Sequence, residues 1–214
     1  MYKLYANRNS GHSYKVALML EICEIEYELI DLDLSIPRGE RCKKFQAHSR
    51  FGEVPVLVID NQPLCQSNNI LQHLAHQEGK LGGETKADQL TVREWLYWEA
   101  NRIGYSVSNL RFSLLFSDNP AEEVLVYLEK RTRFDLKVLD ATLSETKYLV
   151  GDELTIADVC CCGYLFWLSD SGLNIREWPN VFRWLARISS HPRWQHPTPL
   201  MTRIRRFSAE KEHV

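Results

Sequence analysis

The chain has 214 residues, 44% hydrophobic and 25% charged, with a formal net charge of −2. That length supplies core enough for one large domain or two small ones, and the charge balance argues against a nucleic-acid partner, because neutralising phosphates requires a basic surface. No charged region followed by an apolar block and a cleavage site stands at the N-terminus, and the longest apolar stretch, Val159 to Leu168, is far short of the roughly 20 residues that span a bilayer, so a soluble cytoplasmic protein without a membrane partner is expected.

Lys3 to Ala6 reads as a strand, and Ser13 to Glu24 as a helix with apolar residues at Val16, Leu18, Leu20 and Ile22. Tyr27 to Leu32 reads as a second strand, close enough to suggest a βαβ unit with a parallel pair. Glu40 to Gln46 reads as a weak helix. Val54 to Ile59 and Gln62 to Cys65 read as strands joined by an Asp60-Asn61 hairpin turn, and Ser67 to Gln77 as the closing helix. Three glycines in Glu78-Gly79-Lys80-Leu81-Gly82-Gly83 break the pattern.

Beyond them every long segment is helical: Lys86 to about Phe116, then Ala121 to Leu143, separated by Ser117-Asp118-Asn119-Pro120 with its Asn or Asp cap and first-turn proline. Thr155-Ile156-Ala157-Asp158 has the spacing of a capping box. Trp178 to Ser190 is a further helix, stopped by His191-Pro192. The division is residues 1–78, a linker at 79–85, and an all-helical domain at 86–214.

Pro55 is the most informative residue. It lies in a strand-like run, and a proline there marks a strand start, an edge or a cis bond, since it cannot donate to the ladder. The backbone N–H and C=O of Val54 are then available to an extended peptide ligand. Ser67 reads as the N-cap of the next helix, whose free N–H groups favour a carboxylate. The chain therefore presents a peptide clamp beside an anion seat.

Phe51-Gly52-Glu53-Val54-Pro55-Val56-Leu57 and Gln66-Ser67-Asn68-Asn69-Ile70-Leu71 resemble, in type, order and spacing, the glutathione transferase superfamily, in the form of a bacterial-type cytosolic member with a serine-like thiol site. The resemblance implies a thioredoxin-like domain followed by an all-helical one, a homodimer, and glutathione as co-substrate without a metal. It implies that Val54 before cis-Pro55 pairs with the cysteinyl backbone of glutathione, and that Gln66 and Ser67 hold its γ-glutamyl end. The Thr-x-x-Asp element would start the central helix of the helical domain, making Asp158 structural. Ser49-Arg50 stands where the family usually has asparagine-proline.

In this family the loop Asn9-Ser10-Gly11-His12-Ser13 carries the thiol-activating group. Ser10 matches the serine of theta-like and zeta-like members; Tyr5, matching a strand-one tyrosine, and His12, where beta-like members have cysteine, are its rivals. A free thiol has a pKa near ~8.5, and lowering it by about two units takes about 2.7 kcal/mol. A hydroxyl donating to the anion supplies ~1.5–3 kcal/mol and the helix terminus ~0.3–1 more, so Ser10 suffices without a metal. Arg41, in a region with Arg38, Lys43 and Lys44, is the choice for the glycyl carboxylate.

The implied activity is conjugation of glutathione to small hydrophobic electrophiles, a detoxification chemistry. Tyr105, Asn109, Phe112, Tyr164 and Trp167 are the expected acceptor-pocket residues, between the domains. Glutathione-dependent disulfide or peroxide reduction and non-catalytic ligand binding are the alternatives. Cys160-Cys161-Cys162 reads as small helix filling, because neighbours on a helix point about 100° apart and cannot converge on one ion. The six cysteines should stay reduced, His73 and His76 read as solvated, and Trp95-Leu96-Tyr97-Trp98 as packing. Arg203, Arg205 and Arg206 read as a solvated tail.

Overall fold

The computed structural model describes residues 1–203; Arg205 and Arg206 lie outside the described residues. The first unit runs β1 (Tyr2–Ala6), α1 (Gly11–Ile22), β2 (Tyr27–Asp31), a 3-10 turn (Arg38–Glu40), α2 (Lys43–His48), β3 (Val56–Ile59), β4 (Gln62–Cys65) and α3 (Ser67–Glu78). The sheet order is β2-β1-β3-β4, with β1 and β2 parallel and the other pairs antiparallel. Asp60 and Asn61 both take positive φ in the β3–β4 turn, the twist a two-residue hairpin needs.

Alternation along the strands sorts side chains onto two faces. Leu4 and Leu57 face the large core beneath α1 and α3. Tyr5, Val56 and Val58 face Leu32 and Phe45 on the other side. Nine of the twelve residues of α1 are buried, because α1 lies between the sheet domain and α7 and α9 of the helical one.

The helical domain comprises α4 (Lys86–Asn101), α5 (Ile103–Phe116), α6 (Glu122–Glu145), α7 (Ile156–Cys161), 3-10 segments at Leu165–Ser171 and Ile175–Glu177, α8 (Pro179–Ser189) and α9 (Pro197–Met201). The helix expected from Lys86 to Phe116 is thus two helices, broken at Arg102 with φ −123° and ψ −103°. The chain folds tightly over Glu99 there: a Cβ on Gly104 would lie 2.2 Å from Glu99 Oε1. Apolar periodicity continues on both sides of the break and conceals it.

The expected cap before α6 is absent. Ala121 is the N-cap, without a side-chain bond, and Glu122 and Glu123 fill the first turn, where their charges complement the helix dipole. The Thr155–Asp158 capping box is formed. Asp158 is buried and accepts from Leu149 N–H at 2.9 Å and Trp184 Nε1–H at 2.8 Å, besides its bond to Thr155 N–H. Burial pushes this carboxyl above the usual range despite those donors.

Candidate functional site

The peptide bond between Val54 and Pro55 is cis, and the ladder begins at Val56 rather than Val54. Three contacts fix the preceding loop. Ser49 is buried, and its hydroxyl donates to Glu53 O at 3.0 Å and accepts from Glu53 N–H at 3.1 Å. Gly52 takes φ +65°, which a glycine adopts without steric cost. Arg41 donates from Nη1 to Gly52 O at 2.8 Å, with further bonds to Ile36 O and Leu34 O.

A cavity of about 200 Å³ opens against this loop, lined among others by His12, Val54, Pro55, Gln66, Ser67 and Glu99. Gln66, not Ser67, is the N-cap of α3; its side chain makes no cap bond, and Ser67 is the first helical residue. Gln66 holds φ 68° and ψ 115°, a conformation that costs on the order of 1–3 kcal/mol and clusters at ligand clamps. Its amide donates to Glu53 Oε2 at 3.4 Å.

The floor of the cavity is a buried ionic network that joins the domains. Lys15 Nζ lies 2.9 Å from Glu99 Oε2 and donates to Asn68 Oδ1 at 2.7 Å. Asn68 Nδ2 donates to Glu99 Oε2 at 2.9 Å and to Leu96 O at 2.7 Å. Burial alone would favour neutral forms. Cys160 and Glu99 outweigh it for Lys15, holding its pKa up, and Lys15 and His12 outweigh it for Glu99, holding its pKa down, so the pair is charged. His12 Nδ1 lies 3.7 Å from Glu99 Oε1 and is buried without a hydrogen-bond partner. Burial, reinforced by Lys15, pushes the His12 pKa down to about 4.

The loop before α1 is gripped from the helical domain. Ser10 is the N-cap, its hydroxyl accepting from Ser13 N–H at 3.2 Å. Arg111, buried on α5 and stacked over Trp167 at 4.7 Å, donates to Asn9 O at 2.9 Å and to Asp170 Oδ2 at 2.9 Å. Tyr164 lies on Gly11, where a Cβ would meet its ring at 2.5 Å.

Two family models match the chain: the glutathione S-transferase N-terminal domain over residues 1–76 and the glutathione S-transferase C-terminal domain over residues 106–192. A glutathione S-transferase from Pseudomonas fluorescens superposes with a TM-score of 0.84 at 30% identity, covering 92% of this chain and 98% of its own. The chain belongs to the glutathione S-transferase superfamily. It is also 26% identical over 201 residues to the disulfide-bond oxidoreductase YfcG of Escherichia coli, covering 88% of this chain and 89% of that protein. Glutathione S-transferase F9 of Arabidopsis thaliana is 28% identical over 183 residues, covering 80% and 84%.

Within this transferase fold the structure brings Val54, Pro55, Gln66, Ser67 and His12 to one cavity, and leaves the other expected residues elsewhere. Tyr5 is 4% exposed and packs on Phe45 and His48 in the core beneath the sheet. Ser10 caps α1 beside the cavity rather than lining it. Arg41 is committed to three carbonyls. Tyr105 and Phe112 are exposed on α5, and Asn109 donates to Tyr105 O. Trp167 is buried against Tyr14 with Nε1 donating to Thr198 Oγ1, so it belongs to the core.

The three consecutive cysteines are buried, and His73 and His76 are exposed. Among the described residues no group of three or more His, Cys, Asp or Glu side chains gathers as metal ligands. None of their helices is long and apolar enough to cross a membrane. Sequence reasoning missed the Lys15–Glu99–Asn68 network and Arg111. A lysine inside the apolar run of α1 was the available signal for the first.

Proposed function

We propose that the protein binds reduced glutathione in the cavity between cis-Pro55 and the start of α3, and transfers its sulfur to small hydrophobic electrophiles. The observation that carries this reading is the meeting of cis Val54–Pro55 and Gln66–Ser67 at one cavity. The peptide backbone of glutathione pairs with Val54 as an added strand. The γ-glutamyl carboxylate takes Ser67 and the free N–H groups at the start of α3, and Gln66, which both donates and accepts, meets the zwitterionic head.

The Ser10 hydroxyl then donates a hydrogen bond to the sulfur near the start of α1, keeping its own proton and stabilising the thiolate, where the helix terminus also favours the anion. The thiolate attacks carbon, a C–S bond forms, the acceptor's leaving group departs with its electron pair, and the thiol proton goes to solvent. His12 is neutral near pH 7, so it contributes no positive charge to the thiolate. Arg41 braces the loop through its three carbonyl bonds and is not assigned to the glycyl carboxylate.

The likeness to a disulfide-bond oxidoreductase supports a second reading, glutathione-dependent reduction of disulfides. Two assays separate the readings: conjugation of a chloronitrobenzene, and turnover of a glutathionyl mixed disulfide. Conjugation by wild type, with the KM for glutathione raised about tenfold or more in Ser67→Ala, is the expected result. Disulfide turnover without conjugation overturns the transferase reading, and glutathione binding without either turnover points to a ligand-binding protein.

A further inference from the structure

Arg111 is a buried cation of the helical domain that extends one arm into the other domain. The 3-10 segment Leu165–Ser171 holds it on two sides: Nε donates to Asp170 Oδ2 at 2.9 Å, and the guanidinium stacks on the Trp167 ring at 4.7 Å. Asp170 compensates the charge, as a buried guanidinium requires. Nη1 nevertheless reaches out to Asn9 O at 2.9 Å. Asn9 precedes Ser10, so Arg111 grips one end of the peptide group whose other end is the Ser10 N–H. That N–H donates to Asn7 O at 3.0 Å, and Asn9 N–H donates to Asn7 Oδ1 at 3.0 Å.

A peptide group is planar, so holding its oxygen and its N–H from opposite sides fixes the plane from which the Ser10 Cα–Cβ bond projects. On the other side of that residue Ser10 O accepts from Tyr14 N–H at 2.9 Å, and the Ser10 hydroxyl accepts from Ser13 N–H at 3.2 Å. We infer that Arg111 is a positioning residue for the thiol-activating serine: through Asn9 O it aims the Ser10 hydroxyl at the glutathione sulfur. No covalent step is involved, and the guanidinium acts through the backbone. A hydrogen bond to the sulfur lowers the thiol pKa only while the donor keeps its distance and direction. Losing the anchor therefore weakens activation without removing the serine. Thiol activation in one domain depends on this account on the docking of the other.

This inference rests on the glutathione reading, and one experiment separates the two. Ultraviolet absorbance of the glutathione thiolate is followed against pH in the presence of wild type, Arg111→Met, Ser10→Ala and the double variant. Melting temperature and glutathione Kd check that the fold and the cavity persist. The expected result is a bound-thiol pKa raised by about half a unit or more in Arg111→Met, with no further rise when Arg111→Met is added to Ser10→Ala. Asp170→Ala, made at a side chain 35% exposed, decides the case even where Arg111→Met does not fold. It frees Arg111 Nε from its anchor, so positioning predicts a raised thiol pKa, whereas a through-space charge effect predicts a lowered one, because a negative charge is gone. A thiol pKa at or below wild type in either variant, or the same Arg111→Met rise in both backgrounds, overturns the positioning role while leaving the glutathione reading intact. A wild-type thiol that titrates near its free value overturns both.

Discussion

Lys15 and Glu99 carry opposite charges where water does not reach, so each is tolerable only while the other is present. Breaking a buried pair by removing one partner costs about 3–5 kcal/mol, whereas replacing both by apolar residues is often neutral. Lys15→Met should therefore lower unfolding stability by about 3–5 kcal/mol, and Lys15→Met/Glu99→Leu should recover much of the loss; urea denaturation measures both.

His12 adds a pH dependence. Its folded pKa is depressed to about 4 from 6.5, so between those values the unfolded chain binds the extra proton and stability falls as pH drops. The depressed Glu99 carboxyl acts further toward acid: its contribution is present above the ordinary carboxylate range and is lost as pH falls through the folded value. His12→Asn should flatten the stability profile between about pH 6.5 and 4 and leave the more acidic limb in place. Urea midpoints across that range check this, and an unchanged slope counts against a half-buried histidine held neutral by the fold.

At the level of elements, the starts of helices concentrate the vulnerability. Asp158 satisfies donors from Leu149, Thr155 and Trp184 at once, so Asp158→Ala removes a cap and strands buried donors. With ~0.5–2 kcal/mol for a cap and ~1–3 kcal/mol for an unsatisfied buried group, the loss should exceed about 2 kcal/mol in calorimetry or denaturant titration. Gly11→Ala places a methyl against the Tyr164 ring and should cost about 1–3 kcal/mol by overpacking.

Much of this was legible in the sequence. The strand order of residue types, the Val-Pro and Gln-Ser pairs and the Thr-x-x-Asp box are local patterns, and each formed close to where it was expected. What local pattern does not carry is long-range polar geometry. The break at Arg102 follows from Gly104 closing over Glu99, and Glu99 is buried because Lys15, 84 positions earlier in the numbering, lies opposite it. Likewise Arg41 reads as a ligand cation until its carbonyl partners from the folded loop are seen, and Ser67 reads as an N-cap until Gln66 takes its left-handed φ.

Across the whole molecule, one hydrophobic core runs from the sheet through α1 and α3 into the helical domain. The two domains should therefore unfold in a single cooperative transition, with coincident fluorescence and circular-dichroism curves. The outer faces of the helices leave large apolar side chains in water, Leu90, Tyr97 at 75% exposure, Tyr127 and Phe134 among them, and Phe51 projects from the loop before cis-Pro55. Exposed apolar surface of that kind marks association, and we propose that a homodimer covers part of it. Sedimentation should give twice the chain mass, with Tyr97→Glu shifting the protein toward monomer.

The central claim is that the cavity at cis-Pro55 holds glutathione, and calorimetric titration of glutathione into wild type and Ser67→Ala tests it most directly. Ser67→Ala removes a hydrogen bond to a charged group, worth ~1.5–3 kcal/mol, so affinity should fall by about tenfold or more. Wild-type protein that binds no glutathione, or a Ser67→Ala variant that binds it as tightly as wild type, would contradict the account.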